Sequence, residues 1–354
     1  MSIILGIEST AHTIGVGIVK EGEVLANQRD MYTTEVGGIV PMESAKHHAL
    51  VKMQIYQAAL DEAKIKEEDI DAIAFSQSPG LAPCLIEGMR FTKELSEKLQ
   101  KPIIGVNHCV AHLEIGGAVG AKDPVMLYAS GANTQIIAYS GNSDTQSDGA
   151  SSGEDSLDCE SSGKYRVFGE TLDLGIGNFI DTVARFMGEG FPGGPKIQEM
   201  ASKSENYIEL PYKVKGMDIA LAGIQTKLRQ MIESGKYKKE DLAYSLQETV
   251  FAMLVEVAER ALAHTGKTEL LLGGGVACNT RLQEMCKIMC DERIEKTKMF
   301  VPGRPLLVDN AAMIAYTGEI MFKAKANVFK HTELDKVDIN PRERTDDVEV
   351  SWKK

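Results

Sequence analysis

One pattern occurs twice in this chain of 354 residues and limits the folds available to it: three short strands followed by alternating strands and helices. Residues 3–27 contain a small polar turn and a Lys-Glu-Gly hairpin between apolar runs, which predicts three strands. Residues 124–170 have the same layout. The repeat predicts a duplicated, ribonuclease-H-like α/β fold with a cleft between two lobes. An ordinary doubly wound α/β protein with an antiparallel edge is the alternative.

The repeat also indicates a domain organisation. We expect residues 1–122 to form the first lobe and residues 123–308, which include helical insertions, to form the second. An alanine-rich helix at 309–330 is expected to pack back on the first lobe. Residues 331–354 form a tail of mixed charge with no clear hydrophobic period, so no element is predicted there.

Negative charge dominates the chain, with a formal net charge of −12 at pH 7. Residues 142–163 are rich in Ser, Gly and acidic residues and contain no base, so we expect a disordered insertion there. The remainder is still acidic, whereas autonomous nucleic-acid binders usually show a basic balance or stripe. If this chain acts on nucleic acid, a partner or a local patch must therefore contact most of the phosphates.

No targeting or membrane segment is predicted. The start, MSIILGIEST, has no basic region before its short apolar run, so it does not resemble a signal peptide. No stretch approaches the roughly 18 apolar residues of a membrane span. The six cysteines include no Cys-x-x-Cys pair. We therefore expect a cytoplasmic protein with reduced thiols.

Two of the seven histidines, His108 and His112, are four residues apart in VNHCVAHLEIG. On a helix this spacing puts both side chains on one face, close enough to bind one metal ion. Zinc proteases with such a pair have a Glu after the first histidine, and Cys109 in its place argues against that mechanism. Two alternatives remain: a metal site that needs a third ligand, or histidines satisfied by the backbone at a helix N-terminus. Asp309, at the start of the alanine-rich helix, fits an N-cap or a metal ligand.

Four segments rich in small residues are expected to reach the cleft: 8–13, 130–135, 191–198 and 271–279. Small residues let backbone N–H groups approach a phosphate, but they also occur in structural packing loops. Each segment alone is compatible with both interpretations.

Together these segments resemble one family. GIESTAHTIGVGIV, VNHCVAHLEIG, LYASGANTQIIAY, LLGGGVACN and DNAAMIAYTG occur in the order found in the tRNA threonylcarbamoyladenosine transferases. The resemblance covers nearly the whole chain and is closest to the archaeal and eukaryotic branch, the catalytic subunit of the KEOPS complex. It implies an actin-like, sugar-kinase-like fold. It also implies transfer of a threonylcarbamoyl group from threonylcarbamoyl-AMP to the exocyclic amine of the adenosine 3′ of the tRNA anticodon.

The same resemblance implies roles for individual residues. The ligands of one divalent iron or zinc ion would be His108, His112, Tyr128 and Asp309. The adenylate, or an ATP-type nucleotide, would contact Tyr128, Ala129, Ser130, Gly131, Ala132, Asp181, Gly194, Gln198 and Asn279. No residue is an obvious general base. The implied partners are tRNA and KEOPS-type subunits, including a kinase-like protein and a small dimerising subunit.

Some positions depart from the family's usual pattern. Residues other than glycine stand where glycine is usual at Ser78, Ala82, Ala132 and Ala311, and Gln198 stands where a ribose-binding Glu is usual. An added side chain strains the backbone wherever a glycine has a positive φ. These departures leave a second function open: a weakly active or inactive nucleotide-binding scaffold of a KEOPS-like complex.

Overall fold

The computed structural model describes residues 2–34, 39–141 and 163–353. The insertion predicted to be disordered lies outside these ranges, apart from Gly163. Within them, two six-stranded sheets and one two-stranded sheet are present. No helix in the described ranges is long and apolar enough to cross a membrane.

The first sheet is built mainly from the N-terminal third of the chain. Its elements, with the helices between them, are β1 (Ile3–Glu8), β2 (Thr13–Lys20), β3 (Glu23–Met31), α1 (Pro41–Ala63), β4 (Ala72–Ser78), α2 (Ala82–Leu99), β5 (Ile103–Asn107) and α3 (His108–Glu114). β1, β2 and β3 are antiparallel, and β4 and β5 run parallel to β1. The spatial order is β5-β4-β1-β2-β3.

The second sheet repeats this topology. Its elements and insertions are β6 (Val125–Ala129), β7 (Thr134–Ser140), β8 (Gly163–Glu170), α4 (Ile176–Phe186), α5 (Gly193–Ala201), β9 (Val214–Lys215), β10 (Asp218–Ile219), α6 (Ala222–Glu233), α7 (Lys239–Thr265), β11 (Glu269–Gly273), α8 (Thr280–Glu292), β12 (Lys298–Phe300) and α9 (Arg304–Leu307). The order β12-β11-β6-β7-β8 matches that of the first sheet, with the same parallel and antiparallel pairs. The duplication is confirmed, and the simple doubly wound alternative is wrong.

Local hydrogen bonds set where two helices of the second sheet begin. Helix α6 begins at Ala222, because β10 pairs with β9 as a small hairpin immediately before it. Helix α8 begins at Thr280, because the Asn279 side chain accepts a hydrogen bond from Arg281 N and caps it. Such boundaries depend on local hydrogen bonds that hydrophobic periodicity does not record.

The alanine-rich segment forms α10 (Ala311–Ala324), which packs against the first sheet on the face opposite α1 and α2. The approach is close, since a Cβ on Gly6 would lie 2.4 Å from Ala315 N and one on Gly17 2.4 Å from Ala312 N. Glycine in the strands therefore lets this helix come near enough to position the residues that precede it.

The segment after α10 forms two short edge strands that the sequence did not predict. The helix ends at Ala324, where Lys325 takes a left-handed conformation. β13 (Val328–Phe329) then pairs with β5, and β14 (Glu349–Val350) pairs with β8. The tail thus runs from the edge of one sheet to the edge of the other.

Candidate metal and nucleotide site

Helix α3 follows β5 directly, so His108 stands at the carboxyl end of a buried parallel strand. The Asn107 side chain caps the helix, accepting hydrogen bonds from Cys109 N at 3.0 Å and Val110 N at 3.2 Å. All seven helix residues are buried. Because Asn107 satisfies these backbone groups, the histidine side chains are not needed as caps.

His108, His112 and Asp309 converge on one point. Oδ1 of Asp309 lies 3.3 Å from Nε2 of His108 and 3.5 Å from Nε2 of His112. One ligand atom from each of the three residues lies within 4.8 Å of the others. Both ring nitrogens of His112 are buried, and neither has a hydrogen-bond partner among the described residues. Two imidazoles and a carboxylate with unsatisfied buried nitrogens fit a divalent transition metal.

Asp309 is not the N-cap of α10. The side chain of Asn310 caps this helix by accepting a hydrogen bond from Met313 N at 3.0 Å. Asp309 precedes the cap, and its carboxylate faces the two histidines instead. Its backbone oxygen accepts a hydrogen bond from Arg29 Nη1 at 3.3 Å, which ties this segment to β3. The third ligand is therefore presented by a loop held between a capped helix and the first sheet.

Glu8, which the sequence places in one of the turns rich in small residues, contacts the triad. Its carboxylate is fully buried, and Oε2 lies 3.0 Å from Nδ1 of His108. Oε1 accepts hydrogen bonds from the backbone and hydroxyl of Thr10. A carboxylate on one imidazole nitrogen orients the other nitrogen toward a metal. The signal that pointed to it is an acid at the end of a buried strand in the same sheet as β5.

Burial and charge act on the triad in opposite directions. Burial lowers the pKa of His108, but Glu8 and Asp309 outweigh it and hold that pKa well above its ordinary value. Burial also lowers the pKa of His112, which favours the neutral ring at pH 7. For Asp309 burial raises the pKa, but the two histidines reverse the effect and hold it well below its usual range. Neutral imidazole and ionised carboxylate are the forms that bind metals.

Tyr128 lies beside the triad. It is on β6, and its ring centroid is 4.9 Å from that of His112. Burial raises the pKa of its hydroxyl well above the usual value, so the phenol is neutral at pH 7. The second sheet thus contributes a polar aromatic group to a cluster whose other members come from α3 and the loop before α10.

The turn between β6 and β7 contains Ala129, Ser130, Gly131 and Ala132. Helix α4 begins against this turn, with Gly177 N donating to Ser130 O at 3.0 Å and Asn178 N donating to Gly131 O at 2.9 Å. A Cβ on Gly177 would lie only 2.6 Å from Gly131 Cα. Gly131 and Ala132 nevertheless remain exposed. The turn is therefore fixed by α4 while its centre stays accessible.

Asp181 and Gly194 lie at the junction of α4 and α5. Oδ1 of Asp181 accepts a hydrogen bond from Gly193 N at 2.7 Å, and burial raises the pKa of this carboxyl. Among the described residues, no atom outside its chain neighbours lies within 4 Å of a Cβ built on Gly194, so its backbone is open. The ring of Phe191 packs edge-on against that of His12, with centroids 6.0 Å apart. This contact places the junction of α4 and α5 next to the turn formed by residues 8–13, which contains His12.

Gln198 and Asn279 connect the helices of the second sheet. Gln198 Nε2 donates to Thr280 Oγ1 at 3.0 Å, and Asn279 Nδ2 donates to Gln247 Oε1 at 2.7 Å. Among the hydrogen bonds of the described residues, none joins these two side chains to the metal triad. They mark a second region of the candidate site, next to the start of α8.

Comparison with known proteins decides the family. The sequence profile of TsaD, tRNA N6-adenosine threonylcarbamoyltransferase, matches residues 22–160 and 150–316. The chain belongs to this family. It is 52% identical over 350 residues to the tRNA N6-adenosine threonylcarbamoyltransferase of Thermococcus sibiricus, covering 99% of this chain and all of that one. A probable bifunctional tRNA threonylcarbamoyladenosine biosynthesis protein of Methanosarcina acetivorans is 46% identical, and the match covers 99% of this chain and 60% of that protein.

Solved structures agree on the fold. A crystal structure of HypF from T. kodakarensis superimposes with a TM-score of 0.59 at 14% identity, covering 91% of this chain and 48% of that chain. At this identity the likeness concerns the fold alone. Together with the family it supports the actin-like, two-sheet architecture expected from the sequence.

The departures from the threonylcarbamoyltransferase pattern carry no backbone strain. In the described ranges, the non-glycine residues with positive φ are Glu21, Lys64, Gln100, Lys325 and Asn327. The replaced glycine positions, Ser78, Ala82, Ala132 and Ala311, are not among them. Ser78 gains a partner, since its hydroxyl donates to Glu343. The structure therefore gives no support to the inactive-scaffold alternative.

Proposed function

We propose that this chain transfers the threonylcarbamoyl group from threonylcarbamoyl-AMP to the exocyclic amine of the adenosine 3′ of the anticodon in tRNA. The observation that carries the proposal is the cluster of buried His108 and His112 with half-buried Asp309 in a chain of this family. In the reaction the amine nitrogen attacks the carbamoyl carbon, the bond from that carbon to the phosphate oxygen breaks, and AMP leaves. The amine proton passes to solvent.

A divalent metal held by the cluster would supply Lewis-acid stabilisation of the negative charge that develops on the substrate oxygens. We propose one iron or zinc ion per chain, because two imidazoles and a carboxylate suit borderline divalent ions. His108, His112 and Asp309 would hold it, with Tyr128 as a fourth ligand. The place of the Tyr128 ring, with its centroid 4.9 Å from that of His112, supports that role.

The proposed nucleotide site extends from the turn between β6 and β7 to the start of α8. We assign it Tyr128, Ala129, Ser130, Gly131, Ala132, Asp181, Gly194, Gln198 and Asn279. The exposed centre of the turn and the open backbone at Gly194 leave room for a ligand. Asp181 offers a carboxylate for ribose hydroxyls. We also propose that residues 1–122 with α10, and residues 123–308, are the two lobes around this nucleotide cleft, each built on one sheet.

The proposed partners are tRNA and KEOPS-type subunits, including a kinase-like protein and a small dimerising subunit. Two observations support help from other chains. The net charge of −12 opposes binding of tRNA phosphates by this chain alone. Met42, Leu50 and Met53 of α1 are 58%, 83% and 52% exposed, and their spacing along the helix forms an exposed apolar stripe suited to a protein partner. We place the protein in the cytoplasm, which suits the free thiols of its five described cysteines.

A single-turnover assay with preformed threonylcarbamoyl-AMP and tRNA, run with partner subunits present, tests this function. His112→Ala should reduce the transfer rate by at least a hundredfold, because it removes a metal ligand. His264→Ala, which removes an exposed histidine on α7, is the matched control and should transfer at the wild-type rate. Equal rates for the two variants would contradict the metal-assisted mechanism.

A further inference from the structure

The last part of the tail, residues 338–353, crosses from the first sheet to the second, and we call it the strap. Its first residues bind the carboxyl end of β4. Asn340 N donates to Gln77 O at 3.0 Å, Gln77 Nε2 donates to Asp338 O at 2.7 Å, and Gly80 N donates to Pro341 O at 3.3 Å. The strap is therefore anchored to the first sheet by backbone as well as side-chain groups.

The other half of the strap is anchored to the second sheet. Thr345 is buried, and its hydroxyl donates to Gln135 Oε1 at 3.3 Å. β14 then adds to the edge of β8, and Val350 is fully buried in the core that contains Tyr128 and Cys109. The same segment thus contacts both sheets and the hydrophobic cluster between them.

The strap also contacts both ends of the short helix that carries the histidines. At its N-terminal end, Glu343 Oε2 accepts a hydrogen bond from Asn107 Nδ2 at 3.0 Å and another from the Ser78 hydroxyl. Asn107 is the cap of α3, so its amide is held by the strap while its oxygen holds the helix.

At the C-terminal end of α3, Glu114 is 6% exposed. Its Oε1 accepts hydrogen bonds from Trp352 Nε1 at 2.6 Å and from the Tyr165 hydroxyl, and its Oε2 forms an ion pair with Lys353 Nζ at 3.4 Å. A buried carboxylate at a helix C-terminus is unfavourable unless it is paired. Trp352 and Lys353, the strap's last described residues, provide two of its three partners.

We propose that the strap is a positioning element of the metal site, with Glu343 and Trp352 as its positioning residues. A helix of seven residues is unstable by itself, so its place depends on the groups that hold its ends. Both ends of α3 are held by one segment that also joins the two sheets. The strap therefore sets where His108 and His112 stand relative to Asp309, which belongs to a different loop. This inference rests on the proposed metal site.

Binding of Co²⁺ to the full chain tests the strap without any assay of activity. The measured quantities are the dissociation constant, by competition with a chelator, and the visible absorption bands, which report ligand geometry. Glu343→Ala should weaken Co²⁺ binding about tenfold and alter the bands, because it removes the acceptor that holds Asn107, the cap of the histidine helix; changes in the groups that support metal ligands typically cost about this much. Glu343→Gln, which keeps an acceptor for Asn107, should restore both. Trp352→Phe, which loses the N–H donor but keeps an aromatic ring, should weaken binding in the same direction.

The matched control is Glu349→Ala, which changes an exposed glutamate of the same strap. It should bind Co²⁺ as the wild-type chain does, and thermal unfolding should show all variants folded at the assay temperature. If Glu343→Ala and Trp352→Phe fold and bind with wild-type affinity and bands, the strap has no positioning role. If the wild-type chain binds no Co²⁺, the metal site itself is wrong and the strap proposal ends with it. A loss in both Glu343→Ala and Trp352→Phe, with wild-type binding by Glu343→Gln and Glu349→Ala, confirms the strap. A loss in Glu343→Ala without one in Trp352→Phe removes Trp352 from the proposal.

Discussion

Glu8 Oε2 lies 3.0 Å from Nδ1 of His108, so a fully buried carboxylate at the end of β1 determines which imidazole nitrogen faces Asp309. The opposite nitrogen, Nε2, is the one near the Asp309 carboxylate. This contact joins two residues 100 positions apart and so links the first strand of the chain to the proposed metal site. It also makes the site sensitive to a residue that is not itself a metal ligand.

Glu8→Gln should lower metal affinity by about 10–100-fold, the usual effect of removing a carboxylate that orients a ligating histidine. The substitution keeps the volume and one acceptor but removes the charge next to His108. Competition with a chelator measures the change. Glu319→Gln is the matched control, because Glu319 is also buried and binds the backbone N–H groups of Glu21 and Gly22. A similar loss of metal affinity in both variants would show that the effect comes from general destabilisation.

Local sequence patterns predicted much of the fold and part of this site. The histidine pair was found because four-residue spacing is a property of one helix. Asp309 was a candidate because it precedes an apolar helix, although Asn310 proved to be the cap. Glu8 was assigned only to a turn, because its role depends on a contact between distant segments. The paired strands of the two sheets were predicted because their apolar periods are long enough to recognise.

The tail could not be predicted for a different reason. β13 and β14 have two residues each, which is too short for any period. Their positions follow from pairing with strands that are already in place. Glu343, Trp352 and their partners on α3 are likewise matched in three dimensions, with no spacing rule in the sequence to connect them.

Gly177→Ala should disturb the turn between β6 and β7 and weaken nucleotide binding. The new Cβ would lie 2.6 Å from Gly131 Cα and 2.9 Å from Ser130 O, so backbone must move. We expect at least a tenfold weaker affinity for an adenine nucleotide, measured by calorimetry, and a lower melting temperature. Gly223→Ala, near the start of α6, is the matched control, because in the part of the chain that the structure describes nothing beyond its own helix and chain neighbours lies within 4 Å of its Cβ. It should keep wild-type affinity and gain slightly in stability, since alanine favours helix. Unchanged binding by Gly177→Ala would show that the turn does not contact the nucleotide.

Protonation of His48 should lower the free energy of unfolding of the metal-free chain below about pH 6.5. Burial, followed by the charge of neighbouring His47, lowers the pKa of His48 to about 4. In the unfolded chain a histidine has a pKa of about 6.5, so the unfolded state binds more protons between these values and stability falls as pH drops from 6.5 to 4. The full effect is about 3 kcal/mol, from 1.36 kcal/mol per pKa unit.

Urea unfolding of the wild-type chain and of His48→Gln, with a chelator present, measures this dependence. The variant should be less stable at pH 7 but should lose less stability between pH 6.5 and 4.5. His264→Gln, which removes an exposed histidine, controls for the change in residue type. Parallel stability curves for the wild-type chain and His48→Gln would exclude His48 as the source.

The isolated chain should bind tRNA weakly, because its net charge of −12 repels the phosphates. The binding that remains should weaken strongly as salt rises, because it depends on Lys and Arg contacts that release counterions from the phosphates. Partner subunits should raise both the affinity for tRNA and the transfer rate, while metal and nucleotide should bind without them.

Leu50→Asp, which puts a charge into the exposed stripe of α1, should weaken the complex with a partner and remove this gain. Leu172→Asp, at a residue 57% exposed elsewhere on the surface, is the control and should leave the complex intact. Full-rate modification by the chain alone would refute the need for partners.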